Sequence, residues 1–201
     1  MYIYCDESGG VGRGVMTLAA VSIAPDAAET MLTRFRSVTG LKSELKGSRI
    51  DLAERALFFE LFKDAGARAT VGIAISAVQP DPGEDRGDHD RNVYSALLND
   101  VIGSLIPESG GCLGVVIDDG RYDAKSLGVI NDDISRLVAP LGLASLELSH
   151  VLPGLQIADV VANTFFNRAL VTERQSRMAA IVAPLLQNRQ IRLRILDRAV
   201  V

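Results

Sequence analysis

Two pairs of adjacent carboxylates stand where apolar runs of the sequence end. Asp6 and Glu7 follow the run that opens the chain, and Asp118 and Asp119 follow a longer one. Carboxylates are the hard oxygen ligands that Mg²⁺ and Mn²⁺ prefer. Two such cations held about 4 Å apart activate water and stabilise a leaving oxygen. These residue types therefore suit metal-dependent hydrolysis, and turn formation by the same Asp, Ser and Gly residues is the simpler alternative.

The two acid pairs come together only if the two apolar runs are adjacent parallel strands. Ligands of open α/β sheets bind beyond the carboxyl ends of the strands, so Asp6 and Asp118 would then share one edge. Alternation along a strand directs Glu7 and Asp119 to the opposite face from their neighbours. We therefore expect one member of each pair to face a site.

A late segment contributes a third carboxylate. Residues 155–170 are apolar almost all round, which predicts a buried helix. Its polar side chains include Gln156, Asp159, Asn163 and Asn167. At about 100° per residue, these four fall within a stripe roughly 80° wide. An unpaired Asp on a buried helix is unfavourable, so the stripe either faces solvent or is directed at a polar partner or a site.

The hydrophobic pattern predicts alternating strands and helices. Strands are expected at 2–6, 15–23, 68–78, 112–118, 143–151 and 191–196, and helices at 25–37, 51–64, 91–106, 123–138, 155–170 and 175–188. A short Gly-rich connection joins the first two strands, which is typical of a hairpin. The order predicts a mixed-sheet α/β domain with helices packed on the sheet. Residues 79–90 are rich in Pro, Gly and Asp and predict a mobile loop.

Length and composition favour one domain with an aliphatic core. The chain has 201 residues, of which 48% are hydrophobic and only 5% aromatic, so we expect a single domain over 1–201. Cys5 and Cys112 are expected as small core residues in a reducing cytosol. The start of the chain does not resemble a signal peptide, and no apolar run reaches the ~18 residues of a membrane helix. We therefore expect a soluble cytoplasmic protein with no membrane partner; the composition favours no particular oligomeric state.

The charge of the chain limits its partners. The net charge is −4 and the pI about 5.2, which argues against a sequence-independent phosphate-binding surface, because such surfaces are normally basic. Nucleic acid stays possible as a partner, since bound divalent cations can reverse the local sign of a site.

The sequence supports neither a dinucleotide-binding motif nor a zinc site. The glycines at 9–14 precede an apolar strand, whereas the dinucleotide-binding fingerprint opens a helix. His89 is expected on the solvent side of its loop, whereas His150 could face a site near the late helix. Two histidines so far apart form no zinc signature.

Four motifs occur in order along the chain. They are "DESGG" at 6–10, "SELKG" at 43–47, "VVIDD" at 115–119 and "GLQIADVVAN" at 154–163. Together they resemble the domain of unknown function 3800 family of bacteria and phages, which belongs to the ribonuclease-H-like superfamily. The resemblance covers roughly residues 1–168, and it leaves 171–201 as a family-variable C-terminal cap.

The resemblance implies both a fold and a site. The fold would be a ribonuclease-H-like mixed sheet with an N-terminal hairpin, parallel strands and flanking helices. The site would be of the nuclease type and would depend on Mg²⁺ or Mn²⁺. The residues that match it are Asp6, Asp118 and Asp159 as metal ligands, Glu44 as a fourth acid, and Lys46 and Gln156 as polar groups of the site.

The leading hypothesis is a metal-dependent phosphodiesterase that acts on nucleic acid, either DNA or RNA. Glu7 or Glu44 would assist the three metal-binding acids, with Glu7 as a further metal ligand. Lys46 would help to hold the phosphate, and Ser8 and Gln156 would contact substrate. Two alternatives stay open, namely a non-catalytic module that binds nucleic acid or protein on the same fold, and a hydrolase of small phosphoesters.

Overall fold

A computed structural model of the chain describes residues 1–108, 110, 113–139 and 141–197. The strands are β1 (Tyr2–Gly10), β2 (Val15–Ser22), β3 (Arg68–Ala74), β4 (Leu113–Asp118), β5 (Gly142–Glu147) and β6 (Ile191–Leu196). The helices are α1 (Pro25–Thr39), α2 (Leu52–Asp64), α3 (Arg86–Leu105), α4 (Ala124–Val138), α5 (Pro153–Ala169) and α6 (Gln175–Gln187). Cys112, which was expected at the start of β4, lies outside the described residues, and Cys5 is a buried free thiol as expected.

The strands form one mixed sheet in the order β5-β4-β1-β2-β3-β6. β1 and β2 pair as an antiparallel hairpin, and β3 continues the antiparallel arrangement beside β2. β4 and β5 add in parallel on the side of β1, and β6 adds in parallel to β3. The predicted α/β sheet with an N-terminal hairpin and parallel strands is confirmed.

The helices divide into two layers, one on each face of the sheet. α1, α2, α5 and α6 pack with one apolar cluster, and α3 and α4 pack with the other. α5 lies centrally across β1 and β2, and its first turn sits directly on an aromatic ring. A Cβ atom at Gly154 would lie 2.4 Å from the ring of Tyr4, so only glycine allows this close approach.

The end of β1 also depends on glycine. Gly9 has a φ of 92° and Gly10 a φ of 137°, conformations that residues with a Cβ atom rarely adopt. A Cβ atom at Gly9 would lie 2.1 Å from the carbonyl oxygen of Val15. The glycines that looked like a flexible connection therefore extend β1 and allow the hairpin to close tightly.

α3 begins at Arg86 rather than at residue 91, because Asp85 caps it. The Asp85 carboxylate accepts hydrogen bonds from the backbone N–H groups of Gly87 and Asp88. Residues 86–90, which were expected in a mobile loop, are therefore helical. The prediction for His89 was wrong, since its side chain is buried and its Nε2 lies 2.7 Å from the Ala77 carbonyl oxygen.

The C-terminal segment is part of the sheet. β6 pairs with β3 from Ala69–Ile191 to Ala74–Leu196, so the described part of the expected cap completes the domain instead of covering it. Two strands are shorter than expected, since β3 ends at Ala74 and β5 at Glu147. Within the described ranges, no helix is both long and apolar enough to cross a membrane.

Candidate active site

Asp6 and Asp118 stand side by side at the carboxyl edge of the sheet. β1 and β4 are parallel and in register up to the pair Cys5–Ile117, so the next residue of each strand is an aspartate. Tyr4 packs with the apolar cluster beneath α5, which places Asp6, two residues further on, on that same face. Asp6 is only 4% exposed, whereas Asp118 is half-buried.

Asp159 of α5 brings a third carboxylate to this face. Burial raises the pKa of Asp6 well above its usual range, and the charges of Glu7, Asp159 and Asp118 raise it further. Burial also raises the pKa of Asp159, although the Gly47 N–H and Lys46 act in the opposite direction. Three acids from β1, β4 and α5 therefore share one region and repel one another.

Lys46 is the cation that acts on all three acids. Burial alone would lower its pKa, but Glu44, Asp159 and Asp6 together raise it. Its charge also opposes the rise that burial causes in the pKa of Asp118. The lysine thus partly neutralises the carboxylates, while its own Nζ lies 2.9 Å from Glu44 Oε1.

Ser149, which the sequence did not indicate, joins these groups. Its hydroxyl donates to Glu44 Oε1 at 2.8 Å and accepts from Lys46 Nζ at 3.0 Å. Its backbone N–H donates to the carboxylate of Asp118, which lowers the pKa of that acid. One residue of the loop between β5 and α5 therefore orients a carboxylate and the lysine at the same time.

Gln156 fixes the two loops that carry Lys46 and Ser149. Its Oε1 accepts from the Leu45 N–H at 3.0 Å and from Arg36 Nη2 at 3.1 Å. Its Nε2 donates to the Ser149 carbonyl oxygen at 3.2 Å. The side chain is 2% exposed, and both acceptor positions of its oxygen are occupied. The structure thus places Gln156 behind the site as a positioning residue, and its predicted contact with substrate stays a prediction.

Gly47 holds the segment that follows Lys46 against α5. Its N–H donates to Asp159 Oδ2, which orients that carboxylate. A Cβ atom at Gly47 would lie 2.7 Å from the Asn163 Cβ and 3.0 Å from the Val160 Cα. Close packing against α5 therefore requires glycine at this position of "SELKG".

Arg55, also missed in the sequence, lies beneath this segment. It is 3% exposed and donates to the Gly47 carbonyl oxygen, to Thr164 Oγ1 and, at 3.2 Å, to Asn163 Oδ1. Burial lowers its pKa to about 10, with Asp159 acting in the opposite direction. A signal for its burial exists, since Arg55 shares one helical face with Phe58, Phe59 and Phe62.

The polar stripe of α5 faces the polar side of β1. Asn163 Nδ2 lies 3.5 Å from Ser8 Oγ, and Asn167 Nδ2 donates to the Asn163 carbonyl oxygen at 2.8 Å. Ser8 is half-buried and lies two residues beyond Asp6, on the same face. Its role in substrate binding stays a prediction.

Glu7 lies on the opposite face of the sheet, where it belongs to a separate group of side chains. This group, here named the arginine cluster, consists of Glu7, Asp90, Arg121 and Tyr122. Arg121 donates to Asp90 Oδ2 at 2.7 Å, to the Gly9 carbonyl oxygen at 3.0 Å and to Glu7 Oε1 at 3.3 Å. The Tyr122 hydroxyl donates to Asp90 Oδ2 at 2.7 Å. The Glu7 side chain thus lies on the face opposite Asp6, although its charge still raises the pKa of Asp6, and its role as a metal ligand stays a prediction.

The three acids suit a divalent cation in charge and chemistry, but their side chains do not enclose one. Among the described residues, no group of three or more His, Cys, Asp and Glu side chains is arranged to hold a metal ion. Asp6 Oδ1 accepts from the Glu7 N–H at 2.7 Å, and Asp118 Oδ2 accepts from the Gly120 N–H at 3.3 Å. A cation placed among the carboxylates would relieve the repulsion that raises the pKa of Asp6.

Comparison with known proteins supports the fold. The chain is similar to the structure of a ribonuclease HII from Archaeoglobus fulgidus in complex with PCNA, with a TM-score of 0.53 and 13% identity over 95% of this chain and 89% of that one. The fold is ribonuclease-H-like. No protein-family profile matches the chain, and no curated protein matches it. The resemblance to the domain of unknown function 3800 family therefore stays a prediction.

Proposed function

We propose that this protein is a metal-dependent phosphodiesterase of the nuclease type. The observation that carries the proposal is the meeting of Asp6, Asp118 and Asp159 at the carboxyl edge of a ribonuclease-H-like sheet. Mutually repelling carboxylates in a partly dry site reduce stability, and proteins retain such groups where function needs them. The similar fold of a protein named ribonuclease HII supports the same type of reaction.

The three aspartates would hold Mg²⁺ or Mn²⁺, which when bound activates water and stabilises the leaving oxygen. Lys46 would stabilise a phosphate oxygen on which negative charge increases during the reaction. Glu44 and the Ser149 hydroxyl orient the lysine, and the Ser149 N–H orients Asp118. These contacts fix the charged groups before substrate arrives, so little reorganisation is needed during the reaction.

Titration of Mn²⁺ followed by calorimetry tests the proposal directly. We expect saturable binding to the wild type, no binding to Asp118→Asn, and unchanged binding to Asp64→Asn, an exposed acid at the end of α2 that serves as the control. Labelled DNA and RNA strands should be cleaved by the wild type and the control only. Full cleavage by Asp118→Asn would contradict the assignment.

A non-catalytic nucleic-acid-binding module is the second candidate. It is favoured by the lack of an enclosed metal-binding group within the described part of the chain. This candidate predicts that the wild type binds a nucleic-acid strand without taking up Mn²⁺ and without cleaving the strand. Metal uptake that Asp118→Asn abolishes would exclude it.

A further inference from the structure

Arg55 is a buried cation whose hydrogen-bond partners are all neutral. In the described structure, it donates to a hydroxyl of Thr164, a backbone carbonyl of Gly47 and the side-chain amide of Asn163. Its Nε atom is buried and has no partner within the same residues. Asp159 attracts this charge, whereas Arg174 repels it. The positive charge beneath the site is therefore only partly balanced.

A groove opens beside Arg55, between the first turns of α2 and α6. Its volume is about 470 Å³, and it is lined by both apolar and charged side chains, which include Ile50, Asp51, Leu52, Glu173, Arg174 and Arg177. Arg174 and Arg177 are exposed, and neither forms an ion pair with any residue that the structure describes. Two cations of the groove are thus available to a ligand.

The groove contains two acids, Asp51 and Glu173, of which Glu173 is exposed and Asp51 is engaged at the start of α2. The Asp51 carboxylate accepts from the Glu54 N–H at 2.8 Å, and Glu54 in turn accepts from the Asp51 N–H at 2.9 Å, so Asp51 and Glu54 cap α2. α6 begins without a side-chain cap, and the N–H of its first residue, Gln175, donates to the Thr172 carbonyl oxygen at 3.0 Å. Arg174, Arg177 and buried Arg55 outnumber Glu173, the acid of the groove that none of the described contacts engages, so the charges favour an anion at this position.

The groove is connected to the candidate active site through a short chain of contacts. Asp159 accepts from the Gly47 N–H, and the Gly47 carbonyl oxygen accepts from Arg55. Arg55 is in turn close enough to Arg174 for the two charges to interact. Asp159 and the groove are therefore linked through Gly47 and Arg55, an arrangement that a strand of several nucleotides could span.

We propose that the groove between α2 and α6 binds the phosphate backbone of a nucleic-acid strand whose reacting phosphate lies at Asp6, Asp118 and Asp159. This inference rests on the proposed function and deepens it, because it makes the substrate a polymer instead of a small phosphoester. Arg174 and Arg177 contact phosphates further along the strand, and Arg55 attracts the strand from beneath. A small ester would reach the carboxylates without touching the groove.

The test compares a groove variant with a matched control. The groove variant is Arg174→Ala with Arg177→Ala, and the control is Arg34→Ala with Arg189→Ala, two exposed arginines away from the groove. Affinity for a fluorescein-labelled 20-nucleotide strand of DNA or RNA is measured by anisotropy at several salt concentrations, with Ca²⁺ in place of Mn²⁺. Hydrolysis of bis(p-nitrophenyl) phosphate in Mn²⁺ reports on the carboxylate site alone.

We expect the groove variant to bind the strand about tenfold more weakly. The slope of log binding constant against log salt concentration should be smaller by about 1.4, because each of the two lost phosphate contacts contributes about 0.7. The control should match the wild type, and hydrolysis of the small diester should be equal in all three proteins. Strand binding by the groove variant that equals the control would overturn the inference. Parallel losses on the strand and the small diester would also overturn it, because they would place both arginines at the site itself.

A different result would contradict the proposed function. A wild type that hydrolyses neither the strand nor the small diester would contradict the phosphodiesterase. The anisotropy measurement would still show whether Arg174 and Arg177 bind a phosphate backbone.

Discussion

Two buried or half-buried acids on opposite faces of the sheet, Asp90 of α3 and Asp6 of β1, have opposite pKa shifts. In the arginine cluster, on the face of α3 and α4, burial raises the pKa of Asp90, but bonds from the Val11 N–H, Arg121 and Tyr122 outweigh it, and the pKa is lowered. On the face of α5, burial and mutual repulsion leave the pKa of Asp6 raised. The contrast is between Asp90 and Asp6, because Glu7, the other acid of the arginine cluster, keeps a raised pKa through burial although the charge of Arg121 opposes the rise.

This difference shows why the position of an acid in the sequence is not enough to assign its role. Asp6 and Glu7 are neighbours in β1, yet alternation places them on opposite faces with different partners. Arg121 links Glu7, the end of β1 and Asp90, so the arginine cluster cross-links three segments of the chain. On the α5 face, Lys46 contacts Glu44 and Ser149 and acts on the aspartates only through its charge. Among the described residues, no lysine or arginine hydrogen-bonds to Asp6, Asp118 or Asp159, so their oxygens are available to a ligand.

The comparison predicts opposite effects on activity and stability for Asp6→Asn. Metal-dependent cleavage should fall on the order of a thousandfold, because a metal ligand and its charge are lost. The free energy of unfolding in metal-free buffer should rise by about 1 kcal/mol, because a buried, repelled charge is removed. Urea unfolding and a strand-cleavage assay measure the two effects. A large loss of stability in this variant would mean that Asp6 is structural.

Arg121→Gln tests the arginine cluster on the face of α3 and α4. Removing the guanidinium leaves Glu7 and Asp90 unpaired, so the free energy of unfolding should fall by about 3 kcal/mol. Arg121→Lys keeps the charge but loses the bonds to several partners at once, and it should recover only part of the loss. Urea unfolding of both variants is the measurement. A loss below about 0.5 kcal/mol in Arg121→Gln would show that the arginine cluster contributes no more than a surface ion pair.

The contributions of Asp6 and Asp90 to stability should respond oppositely to pH. The folded pKa of Asp6 is raised above the unfolded value of about 3.9, so its favourable contribution is present below about pH 4 and is lost as pH rises through the raised value. The pKa of Asp90 is lowered, so its contribution is present above about pH 4 and is lost as the pH falls through the lowered value. In metal-free unfolding experiments, the advantage of Asp6→Asn over the wild type should grow with pH above 4. Below pH 4, the loss of stability in Asp90→Asn relative to the wild type should become smaller. If neither stability difference changes with pH over this range, both pKa shifts are contradicted.

Ser149→Ala is expected to have the smallest effect. The variant keeps the backbone N–H that contacts Asp118 but loses the hydroxyl between Glu44 and Lys46. Stability should fall by about 1 kcal/mol, the usual value for one hydrogen bond. Cleavage should fall several-fold while Mn²⁺ affinity stays unchanged, since the variant affects the orientation of the lysine and not the ligands. A loss of metal affinity as large as in Asp6→Asn would place Ser149 among the ligands.

The sequence predicted features that depend on local pattern and on strand order. Apolar runs and glycines predicted the hairpin and the sheet, and the acids that end two parallel strands predicted the adjacency of Asp6 and Asp118. Alternation correctly placed Glu7 on the face opposite Asp6. These inferences succeeded because a strand has a fixed side-chain period, and because parallel neighbours end at one edge.

Contacts between loops could not be predicted in this way. Ser149 joins Asp118, Glu44 and Lys46 only because two loops meet in the folded chain, and nothing near residue 149 indicates it. The start of α3 was missed because Asp85 lies in a stretch whose Pro and Gly content predicts a loop. Arg55 could have been found, since it follows the helical spacing of three buried phenylalanines.

The position of α5 has a consequence for synthesis on the ribosome. α5 packs across β1 and β2, yet Pro153–Ala169 lies in the last quarter of the chain. Until it leaves the exit tunnel, the apolar face of the first hairpin stays uncovered, and Asp6 has no Asp159 beside it. Such exposed strands favour aggregation, so the nascent chain should need protection by a chaperone until α5 emerges. The same delay means that a truncated chain ending before α5 cannot assemble the three acids, so incomplete products should be inactive.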